Sequence, residues 1–122
     1  MASVDRVTSV EKAYTILGLF RHNQEMGVTE IARELDMSKG SVYRFVNTLR
    51  QLGLLEQDER TKTYRPGVGL LEMSNLYLSH SDWHGIIRPF MVELSRYTGE
   101  TVYLSVRERT SIVYVDHVEG KQ

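Results

Sequence analysis

Between Thr8 and His22 the apolar residues Val10, Ala13, Ile16, Leu17 and Phe20 recur three and four positions apart, the spacing that lines one side of an α-helix. Thr8 and Glu11 stand three apart at its start, as in a capping box, and the run "NQEMG" closes it. A second, shorter helix is expected over "EIARELD", with Val28 as a staple residue, Thr29 as N-cap, and Ile31, Ala32 and Leu35 turned inward. The tripeptide "DMS" then turns the chain into a third helix. Ser38 is its N-cap, Val42, Phe45, Val46, Leu49 and Leu52 form its apolar stripe, and Gly53 supplies the left-handed residue wanted at its end.

The periodicity then changes. "LLEQDERTKTYRPG" reads as two short strands around a polar turn at Asp58 to Lys62, ended by Pro66 and Gly67. Three helices followed by a hairpin, with a tight turn between the second and third, make a winged helix-turn-helix. "VGLLEMSNLYLSH" is a further helix, apolar on more than one side, so its surplus surface needs a partner. "SDWHGIIRPFMVELSRYTGE" continues as a helix capped by Asp82 and stopped by Gly99, with Pro89 removing an internal hydrogen bond and kinking it near Arg88. "TVYLSV" alternates, "RERTS" turns and "IVYVDHV" is apolar, giving a second hairpin. The expected fold class is mainly α with small β. Residues 1–66 form a winged helix-turn-helix, 67–81 a linker helix, and 82–122 an incomplete α/β domain of one helix and one hairpin.

Composition narrows the class. No apolar run approaches the ~18 residues of a membrane span, and the opening "MASVDRVTSVEK" mixes charges as a secretory signal does not. Cysteine is absent, which excludes disulfides and thiolate metal sites and fits a reducing cytosol. Net charge is −1, but residues 1–66 carry ten basic and nine acidic side chains, whereas 67–122 carry five and seven. A local basic patch can still hold phosphate, because charges beyond about 10 Å are screened.

That patch lies on the third helix. "MSKGSVYRFVNTLRQLGLL" contains Lys39, Arg44 and Arg50 and no acid, and opposite its stripe stand Gly40, Tyr43, Arg44, Asn47 and Gln51. Ser38, Lys39, Gly40 and Ser41 at the helix start can offer amides, hydroxyls and a cation to phosphate oxygens. Arg44 can fork onto guanine and Asn47 can pair with adenine, while Tyr43 can stack on a sugar or thymine methyl. Arg60 and Lys62 at the hairpin tip are placed to follow the backbone, and Thr29 completes the candidate set. The expected partner is double-stranded DNA, bound by a homodimer on paired half-sites. The rival reading is a winged-helix module that binds a protein through the same helix; salt dependence separates the two.

"SVEKAYTILGLF", "TEIARELDMSKGSVYRFVNTLRQLGLLEQD", "YRPGVGLLEMS" and "RPFMVELSRYTGETVYLSVRE" together resemble the IclR family of bacterial transcriptional regulators over nearly the whole chain. The family's recognition motif, Pro-Lys-Ser-Thr-Val-Tyr-Arg, is matched by Lys39, Val42, Tyr43 and Arg44. Ser38, Gly40 and Ser41 depart from it, which implies a different operator. The resemblance implies a linker helix and a larger C-terminal domain that binds small aromatic or carboxylic effectors. Residues 82–122 would supply only its first helix and hairpin, so that domain is expected to be truncated and its pocket mostly missing.

Other chemistry is weakly signalled. His80 and His84 stand four apart, a metal-binding spacing on one helix, but Asp82 between them points away and, as N-cap, interrupts the helix. No glycine-rich phosphate loop follows a strand, and no Ser, His and acid grouping has a motif context. No metal, cofactor or catalytic role is expected.

Overall fold

In the computed structural model, which describes residues 5–80 and 82–121, the apolar stripes of three helices close on one another. These are α1 (Thr8–Gly18), prolonged by a 3-10 turn at Leu19–Arg21, α2 (Val28–Leu35) and α3 (Lys39–Gln51). Ile16, Ile31, Ala32, Val42, Val46 and Leu49 are buried between them, joined by Leu55 and Tyr64 of a hairpin, β1 (Leu55–Gln57) and β2 (Tyr64–Pro66). Each large apolar side chain removed from water contributes about 1.5–3 kcal/mol, which makes this cluster the main adhesive of the unit. Two expected core members stay outside it, Val10 at 65% and Leu52 at 66% exposure. Val10 stands on the first turn of α1, where burial begins only at Ala13, and Leu52 is the C-cap of α3, where the chain is already leaving the helix.

The helix starts also differ from expectation. α1 begins at Thr8 itself with Val7 as its boundary, and Glu11 is engaged by the Arg6 guanidinium, so the Thr8–Glu11 box does not form. Gly27 rather than Thr29 is the N-cap of α2, and its N–H donates to Glu30 Oε1 at 3.2 Å. Glycine has no side chain to return the bond, so half of a capping box is made. Between α2 and α3, Asp36 takes a left-handed φ of 52° and the Met37 N–H closes on the Ala32 carbonyl at 3.0 Å. At the far end of α3, Gly53 takes φ 81°, its N–H donates to Arg50 O at 3.0 Å, and the Leu54 N–H reaches Leu49 O at 2.9 Å. That pair of bonds is a Schellman motif and satisfies two orphan carbonyls.

β1 and β2 pair antiparallel, Leu55 opposite Pro66, Glu56 opposite Arg65 and Gln57 opposite Tyr64. Met26 adds a rung, its N–H and carbonyl meeting those of Tyr64 at 3.0 and 2.8 Å, so the loop before α2 is sewn to the wing. The result is the winged helix-turn-helix expected from element order. α4 (Gly69–Ser79) begins against the end of α3, with the Gly69 N–H donating to Gly53 O at 2.8 Å. A Cβ at position 69 would stand 2.6 Å from that oxygen, so only glycine fits. Along α4, Leu71, Met73 and Leu76 are exposed, the surplus apolar surface that the sequence pattern implied.

The chain divides into two compact units, Met1–Ser74 and Asn75–Gln122. In the second, α5 (Asp82–Thr98) packs on a hairpin, β3 (Val102–Glu108) and β4 (Ser111–Val118). Asp82 is the first residue of α5; Ser81, the last residue of the expected linker segment, lies outside the described residues. Pro89 lies inside α5, whose helical run continues through it to a left-handed Gly99 with φ 76°. Val115 is an extra residue in β4, since Leu104 faces Asp116 while Ser105 faces Tyr114. Met91 and Ser95 are buried in this unit, and Val102, Leu104 and Val106 are half-buried.

Polar clamps supplement that thin core. Asp116 Oδ2 takes hydrogen bonds from His84 Nε2 at 2.9 Å and from the Arg88 guanidinium, and Oδ1 accepts from the His117 N–H at 2.8 Å. Desolvation pushes the Asp116 carboxyl up, but the bonds from His84, Arg88 and the His117 amide outweigh it and hold its pKa at about 2. At the other end of α5, Ser95 Oγ donates to Glu100 O at 2.8 Å and the Gly120 N–H donates to Thr101 Oγ1 at 3.1 Å. His84 is thereby committed to Asp116 rather than turned toward His80, and among the described residues no group of three metal-ligating side chains converges.

Gly69→Ala is expected to destabilise the first unit by about 1–3 kcal/mol, the usual penalty of forcing a methyl against backbone, read as a lower urea midpoint with unchanged slope. Asp116 has a depressed folded pKa, so its stabilisation is full above the ordinary carboxylate range near 3.8 and is lost as pH falls through about 2. Asp116→Asn is expected to cost about 1 kcal/mol at neutral pH, the group being partly hydrated, and to flatten that acid-side loss. Fluorescence of Trp83, the single tryptophan, whose ring lies 6.2 Å from that of His84, reports on this unit during thermal unfolding at pH 7, 4 and 2.5.

Candidate nucleic-acid interface

With Val42, Val46 and Leu49 turned inward, α3 presents Gly40, Tyr43, Arg44, Asn47 and Gln51 on its other sides. Tyr43 is 57% exposed, Arg44 is exposed, and Asn47 and Ser41 are half-buried. Ser38 Oγ accepts from the Ser41 N–H at 3.2 Å, so the hydroxyl caps the helix and retains its own proton for an outside acceptor. A Cβ built at Gly40 meets nothing within 4 Å, so no packing within the chain demands glycine there; its absent side chain matters only to something approaching from outside. Lys39, Arg44 and Arg60 form no ion pair among the described residues. Their charge is available to a partner.

The wing turn is built by Asp58. Its Oδ1 accepts from the N–H groups of Arg60 at 2.8 Å and Thr61 at 3.1 Å, and its own N–H and carbonyl close on Thr63 and Lys62. Those amide bonds, first Thr61 and then Arg60, hold the Asp58 carboxyl below the usual carboxylate range despite a small opposing desolvation. Lys62 adopts a left-handed φ of 61°, and its Nζ lies 3.4 Å from Glu59 Oε2, a weak exposed pair. At the wing base Arg65 meets Glu56 at 3.1 Å and both Glu25 and Asp58 at 3.7 Å. One guanidinium thus gathers three carboxylates at the wing base and offsets one of their three charges. Burial raises the pKa of Tyr64, which is 2% exposed and anchors β2 in the core.

A groove of about 570 Å³ opens between the first turn of α2, Tyr43 and the wing turn, lined by Thr29, Tyr43 and Lys62 together with Gly27, Val28, Glu30, Gln57, Thr61 and Tyr64. It brings three of the expected contact residues together from three elements. Ser38, Lys39, Gly40, Ser41, Arg44 and Asn47 lie along α3 outside this lining, and Arg60 stands in the turn beyond it. Sequence reasoning counted Arg50 among the cations of the third helix but gave it no role, whereas its Nη1 donates to Gln57 Oε1 at 3.2 Å, and it missed the Arg65 cluster. The Glu56–Arg65 pair was recoverable from the hairpin register; Glu25 was not, because only the tertiary fold brings it there.

Two family models match the chain in succession. The IclR helix-turn-helix domain matches residues 9–59, and the bacterial transcriptional regulator IclR C-terminal domain matches residues 75–122. The chain belongs to the IclR family. A similar relative is the HTH-type transcriptional regulator KdgR of Escherichia coli (strain K12), 35% identical over 116 residues, 95% of this chain and 44% of its own length. Solved structures of an IclR family transcriptional regulator from Brucella abortus and of the Thermotoga maritima IclR are both 30% identical and superpose with TM-scores of 0.77 and 0.76. Each is covered over 96% of this chain and 45% and 47% of its own. The chain therefore spans about half the length of the relatives it matches. Family membership agrees with the architecture seen here, a winged helix-turn-helix followed by part of an α/β domain.

Proposed function

We propose that this chain is a sequence-specific, DNA-binding transcriptional regulator that reads double-stranded DNA with α3 in the major groove and rests its wing on the backbone. The observation that carries the reading is the outward face of α3, free of acids, with Lys39 and Arg44 unpaired among the described residues and exposed. In this reading Thr29, Ser38, Lys39, Gly40 and Ser41 meet phosphates, Tyr43 meets sugar or a thymine methyl, and Arg44 and Asn47 read base edges. Arg60 and Lys62 follow the backbone beside the groove. Residues 1–66 are the DNA-binding domain, 67–81 the linker, and 82–122 the opening of an effector-binding domain whose small-molecule ligand the family implies. Such a regulator works in the cytoplasm, beside the bacterial genome.

Retention of fragmented genomic DNA by the chain, sequenced at two salt concentrations, tests this directly. Enrichment of one motif with a steep salt slope supports it; salt-insensitive retention without a motif overturns it. Arg44→Ala is expected to weaken binding to the motif by about 1–3 kcal/mol and to relax preference at one base pair per half-site. Lys62→Ala should instead lower affinity on every sequence and reduce the salt slope by about one. A homodimer is also part of the proposal, since helix-turn-helix proteins read paired half-sites about one DNA turn apart and α4 exposes Leu71, Met73 and Leu76. Sedimentation across a dilution series should show a dimer that dissociates at low concentration, and Leu76→Glu should leave a monomer.

A further inference from the structure

The wing turn that carries Arg60 and Lys62 is hydrogen-bonded within itself, yet one side chain ties it to α3. Gln57, the last residue of β1, donates from Nε2 to the Lys62 carbonyl at 3.2 Å and accepts at Oε1 from Arg50 Nη1 at 3.2 Å. Arg50 lies in the last turn of α3, so the chain of bonds runs from the helix through one amide to the peptide whose left-handed φ of 61° aims Lys62. The chemistry of position 57 is restrictive. A carboxylate there could accept from Arg50 but not donate to a carbonyl, an ammonium could donate but not accept, and asparagine is one methylene short. Its chain neighbours Glu56 and Asp58 are both acids, engaged by Arg65; the residue between them is neutral and bonded in two directions. Gln57 also lines the groove that holds Thr29, Tyr43 and Lys62.

We infer that Gln57 is a positioning residue that fixes the wing turn to the recognition helix, so that Arg60 and Lys62 meet the DNA backbone at a set distance from the bases under Arg44. The inference rests on the DNA-binding reading above. Without the tie the same cations remain, but each must be ordered when DNA binds, and that ordering reduces their net contribution. Arg65 cannot substitute, because it anchors the wing base toward Glu25 and leaves the Lys62 peptide untouched.

The test uses the whole chain and a duplex carrying the motif it retains. Gln57→Met, of equal length without the amide, should weaken binding about three- to tenfold on motif and non-motif duplexes alike, the range expected when modest hydrogen bonds are lost. It should also flatten the salt slope, preserve the base preference, and leave the thermal unfolding midpoint unchanged. Gln57→Asn, which keeps the amide but not the reach, should lose as much. In an Arg60→Ala/Lys62→Ala background Gln57→Met should cost less than twofold, because no wing cation remains to be positioned. Equal losses in both backgrounds, a lowered unfolding midpoint that accounts for the loss, or full binding by Gln57→Met in the otherwise unaltered chain would overturn the inference alone. Failure of the unaltered chain to retain any duplex would overturn it together with the DNA-binding reading.

Discussion

Burial of Val42, Val46 and Leu49 in the three-helix core decides which way α3 faces, and the rest of the first unit is arranged around that decision. A helix has one circumference, and at ~100° per residue three inward positions leave the residues between them no choice of direction. Rotating α3 to present another face would expose these three side chains at about 1.5–3 kcal/mol each, more than any surface contact could return. The ends are fixed by local chemistry of smaller energy. Ser38 closes the first turn through the Ser41 amide, and the left-handed Gly53 closes the last. The polar face is therefore held in place from behind; Ser38 caps, Thr48 bonds the Arg44 carbonyl and Arg50 meets Gln57, while the Lys39 and Arg44 side chains form no ion pair among the described residues.

Charge is distributed with the same economy. Over the whole chain acids outnumber Lys and Arg by one, so binding to a polyanion cannot rest on net charge. In the first unit the acids at the wing base are gathered in one place: Glu25, Glu56 and Asp58 surround Arg65, whose single charge offsets one of the three, and Asp58 also receives two backbone amides. Lys39 and Arg44 have no such acid. Separation of the charges thus gives a nearly neutral domain a cationic face, within the ~10 Å over which salt leaves charges effective. Lys62 is intermediate, since Glu59 stands beside it and must yield before the ammonium can serve a phosphate.

How much of this was legible in the sequence follows from which interactions are local. The stripe on α3 from Val42 to Leu49, the Ser38 cap, the Gly53 stop and the wing hairpin depend on residues close together in the chain, and all were readable. The misplaced residues depend on where an element meets the rest. Val10 and Leu52 fit the helical period but lie beyond the ends of the packed segments, and period alone cannot say where packing stops. The Thr8 box was lost because Arg6 took the Glu11 carboxylate, and the Thr29 cap was displaced because the helix begins earlier, with Gly27 as N-cap and its N–H bonded to Glu30. The Met26–Tyr64 rung, the Glu25–Arg65 pair and the His84–Asp116–Arg88 clamp join positions far apart in sequence, and no spacing rule announces them. The outward polar face of α3 was thus legible because it is the complement of a local periodic stripe, whereas the bonds that brace the wing were not.

The two units are held by different forces, and the difference suits different work. The first has a contiguous apolar core from Ile16 to Tyr64, non-directional and nearly indifferent to pH, beneath a face that would have to stay rigid while reading a groove. In the second, Met91 and Ser95 are the buried ones among the described residues, and its helix is fastened to its hairpin by Asp116 at one end and by Ser95 and Thr101 at the other. Such clamps are directional and charge-dependent, so their loss at one atom, Asp116 Oδ2, would release both His84 and Arg88 from β4. The apolar side of that hairpin is only half-covered by α5, so its polar bonds carry a share of the cohesion that burial carries in the first unit. A perturbation of charge should accordingly loosen the second unit well before it reaches α3.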